Sequence, residues 1–398
     1  MKKQILALIA AAAMGLAPTT LLAQDIKIGF NGDLSASPSA LVGQSSLAAI
    51  EVAIEDINAA GGVLGRKLVL VVRDDLSQPP KSIQNTIELV DNDKVVAMFG
   101  PLNSGNALAV RPLVNQKKMP MLIAMATSTD ITKPVAPDAP NYVFRISLVD
   151  RSNISALLAY LKKHPNAKKI GFMVETTGYG QAGLKDLQEL ATTYGIVPVA
   201  SEKFGVNDTD MSSQLNKMRS AGVDTLVIWA QATPLGQVVR SMERLNYFPL
   251  TLSSFVADQP AYLDTAGPAL VDKLVFQRTR AGGEMTPEMT KLQARIKPRT
   301  KLGEPVMAQA SQSYDAMMLL AQAIRQAQST DSEKISAALE DLKTPHKGLM
   351  KTYNRPFSTT VHEGLTPADL HWVRWKGGKV ETFSDAVTQS LNVSDFKQ

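Results

Sequence analysis

The chain has 398 residues, with 42 Lys and Arg against 37 Asp and Glu, and no cysteine. The basic residues are dispersed rather than clustered, which excludes a nucleic-acid footprint. The missing cysteines exclude disulfides and a cysteine-linked lipid anchor, so stability must come from core burial. The length is too great for one ordinary core and implies about two domains.

In chain order, MKKQILALIAAAAMGLAPTTLLA comes first, with Lys2 and Lys3 ahead of an apolar run and small residues at its end. This pattern predicts a secretory signal over 1–23, cut after Ala23. The apolar run is shorter than the about 20 residues a bilayer span needs. The mature chain, 24–398, is expected to be exported to a periplasm. Loss of Lys2 and Lys3 lowers the formal net charge from +5 to +3.

Strand and helix signals then alternate. DIKIGF, KLVLVVRDD, VVAMFGP and PMLIAMAT read as strands, and SSLAAIEVAIEDINAAGG, PPKSIQNTIELVDND and NALAVRPLVNQ as the helices between them. The pattern restarts after Arg145 with the helix SNISALLAYLKKH. The strands KKIGFMVE, VPVASEKF, DTLVIWAQ and PLTLSSF follow, and then KLVFQRTR. Three further helices and two short strands, LHWVRW and KVETF, complete the chain. Strands alternating with helices predict parallel sheets covered on both faces, hence an α/β protein with two similar lobes. No low-complexity linker separates the lobes, as expected if the chain crosses between them by short hinge segments.

The stretch GYGQAG places Gly178, Gly180 and Gly183 in a G-x-G-x-x-G pattern, with Glu202 about twenty residues on. A dinucleotide site is nevertheless not expected. Glu175, Thr176 and Thr177 separate the first Gly from the strand, and no second nucleotide motif supports it. The glycines read instead as a tight turn into a helix whose free N–H groups face a ligand, with Tyr179 beside it. His164, His346, His362 and His371 lack metal spacing, and neither a metal nor a cofactor is expected. Asp74 and Asp75 point to opposite faces of a strand and read as turn formers. Met98, Met119 and Met121 read as core, Met125 as a strand-end residue near a cleft, and Trp229 as core. In GPLNSGNA and IAMATSTDIT, the hydroxyls of Ser104 and Ser128 have two open readings. They cap helices, or they form a charge-neutral carboxylate site with helix N–H groups.

Together, the opening DIKIGF…AAIEVAIEDINAAGGVLGRKLVLVVRDDLSQPPKSI and the stretches GPLNSGNALAV, PMLIAMATSTDIT, TTGYGQAGLKDLQEL and NDTDMSSQLNKMRSAGVDTLVI resemble the periplasmic binding proteins of branched-chain amino-acid ABC transporters. The resemblance spans nearly the whole mature chain. It implies a type I periplasmic binding fold with two Rossmann-like lobes, parallel central sheets and a three-strand hinge. The expected lobes are 24–145 with 276–353, and 146–275 with 354–398. It also implies a monomer that hands a small-molecule carboxylate to an inner-membrane ABC permease, without enzymatic activity. Ser104 and Thr127 would hold the carboxylate, the Met125 carbonyl would help hold an ammonium, and Tyr179 would cover the ligand.

One departure bears on specificity. Amino-acid binders of this kind carry an acid after the PLTLSSF strand, where this chain has Ser253, Ser254, Phe255, Val256 and Ala257. Asp258 reads as the cap of the next helix. A buried ammonium without a carboxylate partner costs several kcal/mol. An aromatic or aliphatic acid then competes with a branched-chain amino acid as the expected ligand, lined by Val42, Met125, Phe255 and Tyr179, with Ser254 nearby. Arg280 is an outside candidate for a second charge contact. The other function classes are a ligand sensor for a membrane receptor and, on the strength of GYGQAG, an exported nucleotide-dependent enzyme.

Overall fold

The computed structural model describes residues 24–36, 38–136, 139–279 and 285–397. The expected signal segment and Arg280 lie outside the described residues. Among the described residues, no helix is long and apolar enough to cross a membrane.

The first sheet is fully parallel, in the order β2-β1-β3-β4-β5. Its strands are β1 (Ile26–Gly32), β2 (Leu68–Asp74), β3 (Ala97–Phe99), β4 (Met121–Ile123) and β5 (Val143–Arg145). The helices α1 (Ala40–Ala59), α2 (Pro79–Ile87) and α3 (Ser104–Gln116) connect them. Ile28, Phe30, Ala97, Met98 and Leu122 are fully buried, as a parallel sheet covered on both faces requires.

The second lobe begins at α4 (Asp150–Lys163) and continues through β6 (Ile170–Glu175), α5 (Gly178–Tyr194), β7 (Ala200–Phe204), α6 (Ser212–Ser220), β8 (Thr225–Trp229), α7 (Ala232–Arg244), β9 (Leu250–Ser253), α8 (Pro260–Ala266) and β10 (Val275–Arg278). β6 and β8 are buried along their whole length. The Thr177 side chain caps α5 by accepting from the Gly180 N–H, and Gly195, left-handed at φ 64°, ends it.

The chain then returns. Helices α9 (Pro287–Ile296) and α10 (Met307–Ala327) pack on α1 through Val52, Met289, Leu292, Ile296 and Ala310. Helix α11 (Ser332–Glu340) and the short antiparallel pair β11 (His346–Lys347) and β12 (Thr352–Tyr353) follow. Finally β13 (His371–Lys376) and β14 (Lys379–Thr382) extend the second sheet antiparallel, giving the order β14-β13-β10-β9-β8-β6-β7, and α12 (Ala386–Gln389) closes on α4. β10 pairs with both β9 and β13, so the chain leaves the second sheet after Arg278.

Two crossings between the sheets run side by side. Arg145 N–H donates to the His362 carbonyl at 2.9 Å, and Gly364 N–H donates to the Arg145 carbonyl at 2.7 Å. The Arg145 guanidinium is fully buried and grips Glu363 at 2.6 and 2.8 Å, with further bonds to the Ser128 carbonyl and the Thr132 hydroxyl. A bidentate pair of this kind fixes where the two segments cross.

Candidate functional site

A cleft of about 260 Å³ lies between the sheets at the carboxyl ends of their strands. This is where open α/β folds bind ligands. The first lobe contributes Asn103, Ser104, Gly105 and Asn106 from the start of α3, Ser77 and Pro79 from the start of α2, and Met125 and Thr127 from the loop after β4. The second contributes Thr177, Gly178 and Tyr179 from the start of α5, Gln231 from the start of α7, and Phe255 and Val256 from the loop after β9.

Ser104, Met125, Thr127, Tyr179 and Phe255 thus line one cleft. Val42 does not: it is buried in α1, 2% exposed. Ser254 sits behind the wall, fully buried, with its hydroxyl 2.7 Å from the Tyr179 hydroxyl. It therefore positions Tyr179. Asp258 does not cap a helix. It pairs at 2.7 Å with Arg278, which is 2% exposed, and Gln259 takes the position before α8.

Ser104 is the first residue inside α3, and its hydroxyl accepts from the Ser128 N–H at 3.3 Å. Ser128 precedes a short 3-10 turn without capping it through its side chain. The pair therefore ties the two strand-end loops of the first lobe together, and the capping reading is corrected.

The glycines of GYGQAG are set by contact. All three lie inside α5, and none of them is among the positive-φ residues. The expected tight turn is replaced by close approaches. A Cβ on Gly178 would lie 2.6 Å from Gly105 Cα, across the cleft. One on Gly180 would meet the Glu175 carbonyl at 2.0 Å, and one on Gly183 would meet the Trp229 indole at 2.1 Å. Glu202 is paired with Lys217 at 2.9 Å.

Two helix N-termini, those of α3 and α5, converge at the Gly105–Gly178 contact. Unpaired first-turn N–H groups and the helix dipoles give this end of the cleft a positive potential. Among the lining residues there is no Asp, Glu, Lys, Arg or His, and Tyr179 is the one titratable side chain. Burial, reinforced by the charge of Asp150, pushes its phenol well above the ordinary 10 and keeps it neutral. Asp150 itself lies buried beneath Thr127 and Trp229. Burial pushes its carboxyl up to about 7, opposed by the Thr127 hydroxyl and reinforced by Asp186.

Polar contacts bridge the lobes beside the cleft. The Thr129 hydroxyl donates to Asp186 at 2.6 Å and Lys185 donates to Asp130 at 2.9 Å. Burial alone would raise the Asp130 carboxyl, but Lys133 and Lys185 hold it at about 2. The paired acids before α2 split as expected: Asp74 accepts from Leu34 and Leu76 N–H, and Asp75 from Ser77 N–H and the Asn106 amide. Among the described residues there is no cluster of ligands suited to a metal ion.

Residues 25–379 match the family described as Periplasmic binding protein. The chain is 25% identical to the Leu/Ile/Val-binding protein homolog 7 of Brucella suis biovar 1 (strain 1330), over 98% of each. It superposes on the periplasmic binding protein type 1 from Bordetella pertussis Tohama I with a TM-score of 0.79 and 28% identity, covering 90% of this chain and 100% of that one. It also superposes on a solute-binding protein of an ABC transporter from Rhodopseudomonas palustris BisB5, in complex with 3,4-dihydroxy benzoic acid, with a TM-score of 0.74 and 19% identity, covering 90% of this chain and 96% of that one. With a match that spans most of its length and two lobes of the same architecture, the chain belongs to the periplasmic binding proteins, with the type I fold of the branched-chain amino-acid type.

Proposed function

We propose that this chain is the periplasmic solute-binding component of an ABC uptake system, not an enzyme, and that it delivers a small carboxylate without an α-ammonium to a membrane permease. One observation carries the reading: two helix N-termini meet in a cleft whose lining holds no charged side chain. Such a cleft stabilises an anion through dipoles, each helix end contributing about 0.3–1 kcal/mol and up to about 2 when partly buried. An ammonium in the same place would face the positive ends of both helices and no carboxylate, at a cost of several kcal/mol. The relatives support the general role. One is named for leucine, isoleucine and valine, and another was solved with an aromatic acid.

In this reading the carboxylate docks on Ser104 and Thr127 of the first lobe. The second lobe then closes, bringing Tyr179, with Met125 and Phe255 packing the ligand body. In this reading the moving bodies are two lobes, with the return crossings taken after Arg278 and at Glu363, where the second sheet is left and where Arg145 grips the returning chain. The ligand selects the closed form because it touches both lobes only there.

The test is a thermal-shift screen of residues 24–398 against aliphatic and aromatic acids and against the branched-chain amino acids. A ligand present at about 100 times its Kd adds about 2.7 kcal/mol of stability. Stabilisation by amine-free acids is expected. Stabilisation by leucine, isoleucine or valine alone would overturn the amine-free assignment.

A further inference from the structure

The lobes also meet outside the cleft, along one flank of α5. Gly178, Lys185 and Asp186 recur there at the helical period, and each touches the first lobe. Gly178 abuts Gly105. About two turns further on, Lys185 Nζ donates to Asp130 Oδ2 at 2.9 Å, and the Thr129 hydroxyl donates to Asp186 Oδ2 at 2.6 Å. None of these four polar residues lines the cleft, so none is placed to touch a ligand.

Each side of this contact is anchored to its own lobe. Thr129 and Asp130 belong to the 3-10 turn Thr129–Thr132 between β4 and β5. Arg111 of α3 holds the turn by donating to the Asp130 carbonyl and, at 3.2 Å, to the Lys133 carbonyl. On the other side, Arg151 of α4 pairs with Asp186 at 3.2 Å and with Glu189 at 2.9 Å. The turn therefore moves with α3, and α5 moves with α4. Thr129 also accepts from the Arg151 N–H at 3.0 Å, which keeps it beside the crossing that follows β5. Lys185 and Asp130 are joined by their ion pair.

That pair is built to make and break. Burial pushes the Asp130 carboxyl up, but Lys133 and Lys185 outweigh it and hold it at about 2, so the acid is charged at any physiological pH. Separation strands neither charge. Asp130 keeps Lys133 on its own side at 2.7 Å, and Lys185 keeps the field of Glu189 and Asp186 on its own helix. The side chains of Lys185 and Asp130 are 55% and 36% exposed. A pair this open biases an equilibrium without locking it, and salt screens it.

We propose that the Lys185–Asp130 pair is a closure latch, which stabilises the closed form from outside the cleft and makes part of the ligand affinity depend on ionic strength. The proposal rests on the two-lobe closure in the function above and adds residues that never touch the ligand. The apparent Kd is the intrinsic Kd divided by the closed fraction, so the latch tightens binding of every ligand by the same factor.

The test reads the closed fraction directly, in the whole mature protein without ligand. Spin labels at Lys81→Cys on α2 and Ser213→Cys on α6, both exposed and on opposite lobes, report the distance between the lobes by pulsed electron resonance. The chain has no cysteine of its own to take up label. At about 20 mM NaCl a minor, short-distance population is expected, and it should shrink by up to about fivefold in Lys185→Gln, in Asp130→Asn, and in the parent at about 0.5 M NaCl. The double variant should fall no further than either single variant and should not respond to salt, a pattern that a merely structural role for either residue would not produce. A parent with no closed population, a closed population that the variants leave unchanged, or single effects that add in the double variant would overturn the latch. Because no ligand is present, that failure would leave the carboxylate-binding function standing, and an acid screen without a hit would leave the latch standing.

Discussion

Gly178→Ala gives a sharp test of lobe closure. The added methyl would sit 2.6 Å from Gly105 Cα and 3.1 Å from the Gly105 nitrogen, and both are backbone atoms that cannot rotate away. Ordinary contact begins near 3.4 Å, so the lobes must separate by about 0.8 Å at this point. Overpacking of this size costs about 1–3 kcal/mol, and here the cost falls on the closed state alone. The ligand-free, open protein should lose nothing and could gain from the better helix propensity of Ala. Affinity should therefore fall about 5- to 150-fold, by the rule that about 1.4 kcal/mol is a factor of ten, while the ligand-free Tm holds or rises. Gly105→Ala is the control. Its Cβ would lie 3.6 Å from Gly178, an ordinary contact, and affinity should change little. Titration of both variants with whichever acid the screen identifies decides the matter. If Gly178→Ala binds like the parent, or if both variants weaken equally, the two N-termini do not meet in the bound state and the closure argument fails.

Three other outcomes follow from the same geometry. Gly183→Ala should lower Tm, because its methyl would meet the rigid, buried indole of Trp229 at 2.1 Å and such overpacking costs about 1–3 kcal/mol; an unchanged melting curve would refute that packing account. Ser104→Ala and Thr127→Ala should each weaken acid binding by about 10- to 150-fold, since hydrogen bonds to a charged group contribute about 1.5–3 kcal/mol, and unchanged calorimetric affinity would remove both residues from the site. The third concerns pH. Asp150 is raised by burial from 3.8 to about 7, so its folded form favours the proton. Its contribution to stability is full below pH 3.8 and is lost as pH rises to about 7, a change on the order of 4 kcal/mol. Asp150→Asn should flatten the fall in Tm between about pH 4 and 7, and parallel curves for variant and parent would refute the assignment; Asp315, raised by burial to about 7 with the same sign, remains in both.

The fold was legible because the period of the apolar residues was unambiguous. Strands such as KKIGFMVE and DTLVIWA became β6 and β8, buried end to end. The gathering of Ser104, Met125, Thr127 and Tyr179 was also legible, since each ends a strand or opens a helix, and parallel sheets put all such positions on one edge. What escaped the sequence were relations between distant residues. Nothing in GYGQAG says that its first glycine faces Gly105 or its third faces Trp229, so both read as turn formers. Asn106 and Gln231 were missed because an amide acquires direction only from its partner, and those partners lie 31 and 56 residues away. Val42 was misassigned because helical spacing marks an apolar face without saying whether core or cleft covers it.

The acid absent after β9 is not replaced elsewhere on the cleft surface, and its neighbours show where local polarity went instead. Ser254 anchors the Tyr179 hydroxyl, and Asp258 neutralises the buried Arg278. The other carboxylates near the cleft lie behind its wall. Asp75 and Glu175 are occupied by amides, and burial raises the Asp150 carboxyl to about 7 beneath Thr127 and Trp229. An ammonium entering the cleft would therefore meet neutral oxygens and two positive helix ends. A carboxylate entering it would meet first-turn N–H groups and hydroxyls, and would give up water for donors already fixed in place by two helices. On the proposed function, the lining would thus separate anionic from zwitterionic ligands without a single charged side chain, before the apolar wall formed by Met125, Phe255 and Val256 selects by shape among the anions.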